Sequence, residues 1–532
     1  MNPKKIIVAC LAIFLVFSAN HLALAATGDV EKPKSVVLFI GDGMGANQVK
    51  ATEIYARDVL KKDLAITSIR TSGITTTYSA SSSVTDSAAA ATAIYTGYKT
   101  NNGHLNVLPD GRRVDGIGVA SVKSGLSVGI ISTARLTDAT PAAIYANSQR
   151  RDSHNEIAGQ LPDFGADVVL GVGQSHFAPS SHKDSDRKDE TDVIAIMRNK
   201  GYDFVKNLSQ LNAVNPDNTK KLFGMFSPSN MPYAIDRENT PALSGAPNLA
   251  DMTKVALSIM GKNPKGFLLV IEGGRIDHAC HANDIKTMIL ETLEFDEAVG
   301  VALKYRETHP DVLVIVTGDH ETGGLRQTGE GAWSIDSGAI LPIKRSLGAI
   351  EDKIRKNPEQ EDAILKASGL ELTPEEAELL RSYKVRAEQE KPTDKTAKEK
   401  ASDKKSSGIL NALSMITSQR AGVEWTTNGH TGLAVITRAV GPGAQLFSGD
   451  YDNTDIALKI AELLNLSIPR LTEKNEKKAG IFIVEPTFAL VRAANAGNYP
   501  NSHGFVLTIF AGIADSHGTP VWQSPHPYPS KP

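Results

Sequence analysis

The sequence of 532 residues contains only two cysteines, Cys10 and Cys280. If Cys10 is removed with a leader, the rest of the chain cannot form an intrachain disulfide, so its stability depends on core packing or bound metal. The chain also lacks a basic excess, because 57 lysines and arginines stand against 60 aspartates and glutamates. Proteins that bind nucleic acids usually carry an excess of positive charge, which this chain lacks, so we expect no nucleic-acid partner.

A hydrophobic run long enough to span a membrane is missing near the N-terminus. The run Ile6–Phe17 is shorter than the roughly 20 apolar residues that a bilayer requires. Two lysines precede it and Ala23-Leu24-Ala25 follows it, which predicts a signal peptide at residues 1–25. We therefore expect an exported protein, periplasmic or secreted, with no membrane span in the mature chain. A lipoprotein signal ending at Cys10 is a less favoured alternative, because little hydrophobic sequence precedes that cysteine.

Apolar, β-rich runs alternate with helical stretches along the chain. This pattern predicts an α/β fold, a central and mainly parallel β-sheet sandwiched by helices. The clearest predicted strands are Ser35–Ile40, Leu126–Ser132, Gly266–Ile271, Val312–Thr317 and Leu433–Val440. Four of the five are followed by residues of metal-ligand type, namely Asp42, Asp138, Glu272 and the pair Asp319-His320. Because ligands bind beyond the carboxyl ends of parallel strands, these residues indicate a single site.

We expect one domain at residues 26–468, with a charged insertion at about 346–418. Between Glu351 and Lys405 there are 14 acidic and 13 basic residues, which favours a solvated surface excursion over a partner-docking element. The capping box Thr373–Glu376 predicts the start of a helix, and the Lys-rich remainder to Ser407 is expected to be a mobile loop. Residues 469–532 form a C-terminal extension of unknown role, with candidate strands at Gly480–Ala489 and Gly504–Ile513.

The segment Gly41–Ala46 admits two interpretations. It fits a loose dinucleotide-binding fingerprint, with Asp63 at the position expected for a ribose-binding acid. However, the carboxylate of Asp42 would oppose a pyrophosphate. The flanking glycines instead allow a tight turn that projects Asp42 from the end of a strand, as a hard oxygen ligand requires. We favour the second interpretation.

Thr85-Asp86-Ser87 leads into the strongly helix-forming stretch Ala88–Ala93. Ser87 therefore lies near a helix N-terminus, where backbone amides attract an anion. A serine in this position is either a plain N-cap or a nucleophile. A serine hydroxyl needs a base or a metal to ionise it, and no Ser-His-Asp context is visible. The sequence therefore favours a metal.

Three further segments carry histidines beside carboxylates. Asp277 and His281 are four residues apart, which places them on one face of a predicted helix. Asp319 and His320 are adjacent, and His430 precedes the last core strand. Each histidine taken alone is more often a surface or core residue. Together with the carboxylates they predict two zinc-like ions with nitrogen and oxygen ligands and one magnesium-like ion with oxygen ligands.

These segments resemble the motifs of the alkaline phosphatase family. They occur in the family's order over roughly 35–324 and 422–464. The matching segments are VVLFIGDGMG, TDSAAAATA, DATPAA, EGGRIDHACH, TGDHETGG, NGHTG and GPGAQLFSGDYDNTDI. The resemblance implies hydrolysis of a broad range of phosphate monoesters and, as is usual in the family, a homodimer.

The resemblance also implies a role for each matching residue. Ser87 would be the nucleophile that forms a phosphoserine, and Arg151 would hold the phosphate, with Arg150 as the alternative. One Zn²⁺ would be bound by Asp277, His281 and His430. A second Zn²⁺ would be bound by Asp42, Asp319 and His320. One Mg²⁺ would be bound by Asp138, Thr140 and Glu272, with Asp42 bridging.

Two more residues would lie directly behind these, Asp86 and His278. His278 occupies a position at which branches of the family carry lysine or histidine. Together with Asp138 it forms a mixed set, so the resemblance leaves open which ion occupies the third metal site.

Two other functions stay open. One is a different hydrolase or transferase of the same architecture, such as a phosphodiesterase, a sulfatase or a phosphate-shifting mutase. A sulfatase needs a modifiable Cys or Ser in its own motif, where Cys280 does not lie, and diesterases commonly use Thr and lack the Asp138-Thr140 pair. The other is a non-catalytic metal or phosphate binder, which would be expected to have lost the nucleophile or a ligand. The sequence retains both.

Overall fold

The computed structural model describes residues 30–389 and 408–468. Several sequence predictions fall outside the described residues. These are the signal peptide at 1–25, the part of the Lys-rich loop at 390–407, and the candidate strands at 480–489 and 504–513. Among the described residues, no helix combines the length and the apolar character needed to cross a membrane.

The described residues contain fourteen strands. They are β1 (Ser35–Gly41), β2 (Thr71–Thr76), β3 (Ser127–Arg135), β4 (Val168–Val172), β5 (Asp203–Val205), β6 (Leu222–Met225), β7 (Phe267–Gly273), β8 (Val312–Gly318), β9 (Glu321–Thr322), β10 (Leu325–Gln327), β11 (Val423–Trp425), β12 (His430–Thr431), β13 (Val435–Val440) and β14 (Gly449–Asp452). Ten of them form one central sheet in the order β14-β2-β13-β8-β1-β7-β3-β4-β6-β5. Only β13 runs antiparallel to its neighbours. The two short ladders, β9 with β12 and β10 with β11, are antiparallel.

Helices connect the strands and cover the sheet. The α-helices are Ala46–Tyr55, Ala65–Ser68, Ser87–Thr96, Ile117–Ser124, Ala139–Ala142, His154–Phe164, Val193–Asn199, Leu208–Asn212, Ala234–Glu238, Leu249–Met260, Arg275–His281, Ile285–Thr308, Ser337–Ile340, Leu347–Lys356, Glu361–Ala367, Pro374–Gln389, Gly408–Ala421 and Thr454–Leu463. A π-helical turn at Ala56–Leu60 extends the first of them. Short 3₁₀ turns lie at Gln174–His176, Pro241–Leu243, Pro358–Gln360 and Ala444–Phe447.

Strand β1 shows how the two layers of helices enclose the sheet. Its alternate residues Val36, Leu38 and Ile40 belong to one apolar cluster, and Val37 and Phe39 belong to the other. All seven residues of β1 are buried. A strand that is buried on both faces has a continuous run of apolar residues, and β1 could be predicted from this run. The predicted α/β fold with a mainly parallel sheet is therefore confirmed.

All five predicted strands are present, as β1, β3, β7, β8 and β13, with ends shifted by at most three residues. Four of them, β8, β1, β7 and β3, are consecutive neighbours in the sheet. Because these four are parallel, their carboxyl ends meet at one edge. The ligand-type residues that follow them are therefore brought together.

The charged stretch differs from its prediction. The prediction of a solvated surface excursion from Glu351 onward holds only in part for residues 351–386. Most of their charged side chains are exposed, but their helices also contribute apolar side chains to the main core. Apolar side chains of this stretch and just before it are almost fully buried, namely Leu347, Ile350, Ile354, Leu365, Leu370 and Leu380. The helix predicted at Thr373 is present, since Thr373 and Glu376 form the reciprocal hydrogen bonds of a capping box. That helix continues to Gln389, into the segment predicted to be a mobile loop.

Candidate active site

The candidate site lies where β8, β1, β7 and β3 end side by side. Gly41 at the end of β1 pairs with Gly273 of β7 and with Gly318 of β8. Asp42 follows directly after β1, and Asp319 and His320 follow directly after β8. These three side chains are buried.

The turn after β1 requires glycine. Gly43 has φ of +71°, a conformation that residues with a Cβ rarely adopt, and a Cβ there would lie 2.8 Å from Asp277 Oδ1. The amide of Gly43 donates a hydrogen bond of 3.1 Å to Asp319 Oδ1. The glycine therefore lets the backbone pass between two carboxylates while Asp42 points into the site.

Ser87 begins the helix Ser87–Thr96, but it is not the N-cap. The cap is Asp86, whose Oδ1 accepts a hydrogen bond of 2.9 Å from the amide of Ala89. The N-cap interpretation of Ser87 is therefore wrong, since the hydroxyl is not used to close the helix. Instead, Ser87 Oγ lies 3.1 Å from His320 Nε2, and both residues are buried.

Two groups of residues could each hold a metal ion. In the first, His320 Nε2 lies 3.4 Å from Asp42 Oδ1 and 3.4 Å from Asp319 Oδ2. These three residues form a cluster whose ligand atoms lie within 4.8 Å of one another. They are also the set predicted for the second Zn²⁺.

The other predicted zinc set is also assembled. His281 Nε2 lies 3.2 Å from Asp277 Oδ2 and 3.2 Å from His430 Nε2, and His430 Nε2 lies 3.6 Å from Asp277 Oδ1. His320 borders this group too, because Asp277, His320 and His430 also have ligand atoms within 4.8 Å of one another. The two groups are therefore neighbours that face each other across His320.

The histidines present the nitrogen that a metal would need. His430 Nδ1 lies 2.9 Å from the carbonyl oxygen of Thr85, and His281 Nδ1 contacts the carbonyl oxygen of Asn428. A carbonyl can only accept, so Nδ1 carries a proton in both rings, which leaves Nε2 as the nitrogen that faces the carboxylates and could bind a metal. Ligating histidines commonly donate their second N–H in this way. The nitrogen and oxygen donor set also suits Zn²⁺.

Burial and neighbouring carboxylates raise the pKa of several acidic residues in the site. Burial, and then the neighbouring Asp319 and Asp277, raise the pKa of Asp42 well above its ordinary value. Burial also raises the pKa of Asp319 to about 7 and that of Glu272 to about 8. Asp42 Oδ1 and Glu272 Oε1 are buried with no hydrogen-bond partner among the described residues. Divalent cations would offset this charge and use these oxygens, so the residues fit metal ions.

The residues predicted for Mg²⁺ are less uniform. Thr140 Oγ1 lies 3.4 Å from Asp42 Oδ2, and Glu272 Oε2 accepts a hydrogen bond from Ser132. Asp138 forms a salt bridge with Arg135, with 2.9 Å between Oδ1 and Nη2, and its Oδ2 accepts a hydrogen bond from the amide of Arg135. Arg135 therefore already offsets the charge of Asp138, a pairing that the sequence analysis did not identify.

The environment of His278 was not predicted either. Its Nδ1 lies 2.7 Å from Arg275 Nη1. A guanidinium can only donate, so Nδ1 accepts this bond and is engaged by the arginine. Burial, and then the charge of Arg275, lower the pKa of His278 to about 4. Arg275 also stacks on the ring of Tyr233, with 3.7 Å between the guanidinium carbon and the ring centroid.

Of the two candidate arginines, Arg151 faces the site. Its Nη1 lies 3.0 Å from Asp86 Oδ2, whereas Arg150 is exposed. Burial alone would lower the pKa of Arg151, but the carboxylates of Asp86, Asp138 and Asp42 outweigh burial and raise it. Arg151 is therefore a permanent cation beside Ser87.

A model of the alkaline phosphatase family matches residues 33–466. The chain belongs to the alkaline phosphatase family. Alkaline phosphatase 3 of Bacillus subtilis is 31% identical over 455 residues, which cover 83% of this chain and 91% of that relative. As a member of this family, the chain is an enzyme of the phosphomonoesterase class.

Solved alkaline phosphatases have the same fold. The crystal structure of the Thermus thermophilus alkaline phosphatase aligns with a TM-score of 0.72 and 28% identity, over 84% of this chain and 95% of that one. The cold-active alkaline phosphatase of a psychrophilic Shewanella aligns with a TM-score of 0.68 and 30% identity, over 81% of this chain and 99% of that one. The alignments cover most of each protein, so the family assignment applies to the whole described domain.

The contacts of Thr322 in this phosphatase site were not predicted from the sequence. Its hydroxyl donates a hydrogen bond of 2.6 Å to Asp277 Oδ1 and lies 3.2 Å from His320 Nδ1. Because the hydroxyl hydrogen points to Asp277, its oxygen accepts the N–H of His320. Thr322 thus links one residue of each predicted zinc set. The available signal was its position, two residues after His320 in a motif with few apolar residues.

Proposed function

We propose that this chain hydrolyses phosphate monoesters through a phosphoserine formed at Ser87. The observation that carries the proposal is the 3.1 Å distance between Ser87 Oγ and His320 Nε2 inside a buried cluster of carboxylates and histidines. A buried hydroxyl at a helix N-terminus, beside groups suited to bind metal, is in a position to be ionised. No base in a conventional triad is needed for this.

The proposed metal-binding residues fall into three sets. The first zinc set is Asp277, His281 and His430. The second zinc set is Asp42, Asp319 and His320. The magnesium set is Asp138, Thr140 and Glu272, with Asp42 bridging. When bound, such ions would lower the pKa of the serine hydroxyl and of the attacking water and would stabilise the leaving oxygen.

The chain's own residues bind and orient the phosphoryl group. Ser87 Oγ would form a bond to phosphorus while the bond from phosphorus to the ester oxygen breaks, and the alcohol leaves after taking up a proton. Water would then attack the same phosphorus, break its bond to Ser87 Oγ and release inorganic phosphate. Arg151 would hold two phosphate oxygens through both steps by bidentate hydrogen bonds. Asp86 would keep Arg151 oriented.

The proposal extends to substrate range, export and assembly. The proposed recognition elements, Ser87 and Arg151, would contact only the phosphate, so we expect broad specificity for the leaving group. We also propose that residues 1–25 are removed on export to the periplasm or beyond, that residues 26–468 form the catalytic domain, and that the enzyme is a homodimer. The last point rests on its family alone.

Trapping the covalent phosphate tests this function. The mature protein with Zn²⁺ and Mg²⁺ should hydrolyse a chromogenic phosphate monoester, and chelation should abolish the activity. Acid quenching followed by mass spectrometry should find phosphate on the peptide that contains Ser87. Ser87→Ala should lower kcat by roughly 10³-fold or more with unchanged metal content. Ser258→Ala, on a remote helix, is the matched control. Full activity of Ser87→Ala would exclude the proposed nucleophile.

A further inference from the structure

Glu321 is a buried carboxylate that the proposed chemistry does not use. Only 3% of its surface is exposed. Its Oε1 accepts hydrogen bonds from Gln48 Nε2 at 2.6 Å and from the amide of Gly324 at 3.0 Å. Its Oε2 accepts one from the hydroxyl of Thr431 and a second, of 3.2 Å, from the amide of Gly324. Three separate parts of the chain are therefore joined by one side chain.

The segment that carries His430 lies near the surface and is held at a few points. His430 Nδ1 donates to the carbonyl oxygen of Thr85 at 2.9 Å, and the amide of Gly323 donates to the carbonyl oxygen of Gly429 at 2.9 Å. None of the residues at 424–434 is fully buried. The strand β12 consists of two residues, and its pairing with β9 sets His430 opposite Thr322 and Thr431 opposite Glu321. A two-residue ladder fixes a side chain weakly, because it contributes few backbone hydrogen bonds. The bond between Thr431 and Glu321 adds a side-chain link from this segment to a buried carboxyl group.

Neighbouring residues enclose the side chain of Glu321. A Cβ built at Gly45 would lie 2.3 Å from Glu321 Cγ, so the side chain occupies the space beside that glycine. Gln48, which donates to Glu321 Oε1, also donates to the carbonyl oxygen of Thr322 at 2.8 Å. Gln48 and Gly324 therefore hold the side chain of Glu321 in a position from which it can fix Thr431.

We propose that Glu321 is a positioning residue that fixes His430 in the metal site through the hydroxyl of Thr431. This rests on the proposed function, in which His430 binds one of two zinc ions. Thr431 is the next residue after His430, so a shift of its side chain moves the imidazole. The partners of a ligating residue set its orientation, and their loss typically lowers metal affinity by about 10–100-fold.

The test measures zinc affinity. Metal-depleted protein is titrated with Zn²⁺ in competition with a chromophoric chelator, and circular dichroism verifies that each variant is folded. Thr431→Val keeps the shape but removes the hydroxyl, and should weaken one of two zinc equivalents by about 10–100-fold. Thr431→Ser keeps the hydroxyl and should bind as the wild type does. Thr253→Val removes a buried hydroxyl that bonds Leu249 in a remote helix, and should change neither affinity.

A double variant tests whether Glu321 and Thr431 affect zinc affinity through the hydrogen bond between them. Glu321→Gln places an amide where donors converge and should weaken the same zinc equivalent. The variant that combines Glu321→Gln with Thr431→Val should bind this zinc equivalent no more weakly than the single variant of lower affinity, because both substitutions act on the bond between residues 321 and 431. If Glu321→Gln does not fold, the comparison of Thr431→Val with Thr431→Ser decides alone.

His430→Ala distinguishes a failure of the proposed zinc ligands from a failure of the positioning role of Glu321. Loss of one zinc equivalent in this variant supports the proposed ligand set. If His430→Ala binds both equivalents with wild-type affinity, the ligand assignment and the role of Glu321 both fail. If His430→Ala loses one equivalent while Thr431→Val retains both, only the positioning role of Glu321 is overturned.

Discussion

Asp86 and Arg151 form a salt bridge in which Asp86 Oδ2 lies 3.0 Å from Arg151 Nη1. The other carboxylate oxygen of Asp86 caps the helix that begins at Ser87. The amide of Gly103 donates a further hydrogen bond of 2.9 Å to Asp86 Oδ2. One carboxylate therefore fixes the proposed phosphate-binding arginine and the proposed nucleophile relative to each other.

Replacing Arg151 should weaken binding more than turnover. Arg151→Ala removes charge-assisted hydrogen bonds to the phosphate, worth about 1.5–3 kcal/mol, so KM and the inhibition constant of inorganic phosphate should rise by about 10–100-fold. Steady-state kinetics with a phosphate monoester measures both. Arg150→Ala is the matched control and should behave as the wild type, because Arg150 is exposed. A larger effect from Arg150→Ala would assign the phosphate contact to that residue instead.

The sequence predicted the parts of the site that follow long apolar strands. Asp42 and Asp319 come directly after β1 and β8, where the periodic signal is strong and the chain position of the carboxylate follows from the strand end. The spacing of Asp277 and His281 likewise predicted their proximity, because a helix places residues four apart on one face. These predictions needed only local periodicity and the rule that parallel strands share an edge.

Other contacts could not be predicted because they depend on the packing of distant segments. The ladder between β9 and β12 has two residues on each side, too few to leave a periodic pattern. The contact between Glu321 and Thr431 exists only once that ladder forms, and the contacts of Thr322 depend on the packing of Asp277 beside His320. Composition was misleading in the charged stretch, because a high average charge hides single apolar residues such as Ile354 that face the core.

A buried acid outside the site should make stability depend on pH. Glu291 lies on the helix Ile285–Thr308 and accepts a hydrogen bond of 2.6 Å from the amide of Ala234. Burial, and then the neighbouring Glu294, raise the pKa of Glu291 to about 7 from an ordinary value of 4.5, against the lowering effect of Arg237 and Arg275. The folded state thus binds this proton more tightly than the unfolded state. The contribution to stability is present below about pH 4.5 and is lost as the pH rises through about 7.

Glu291→Gln should abolish the loss of stability that Glu291 causes as the pH rises. Urea unfolding of the wild type and the variant at several pH values between 4 and 8 should show that the difference in free energy of unfolding shifts in favour of the variant as the pH rises. The amide oxygen of glutamine can still accept from Ala234, so the fold is kept. Glu307→Gln, at an exposed position on the same helix, is the matched control. Parallel pH profiles for the wild type and Glu291→Gln would contradict the assignment.

Two apolar residues of the charged stretch provide a direct test of its packing. Ile354 is 1% exposed and belongs to the main core, whereas Val385 is 53% exposed. Ile354→Ala should therefore lower the free energy of unfolding by about 2–5 kcal/mol, because it removes buried methyl groups and leaves a cavity. Val385→Ala should change it by less than about 0.5 kcal/mol. Chemical unfolding of both variants measures the difference. If both substitutions were equally harmless, the stretch would be the solvated excursion that its charge suggested, and the helices 347–386 would not stabilise the domain.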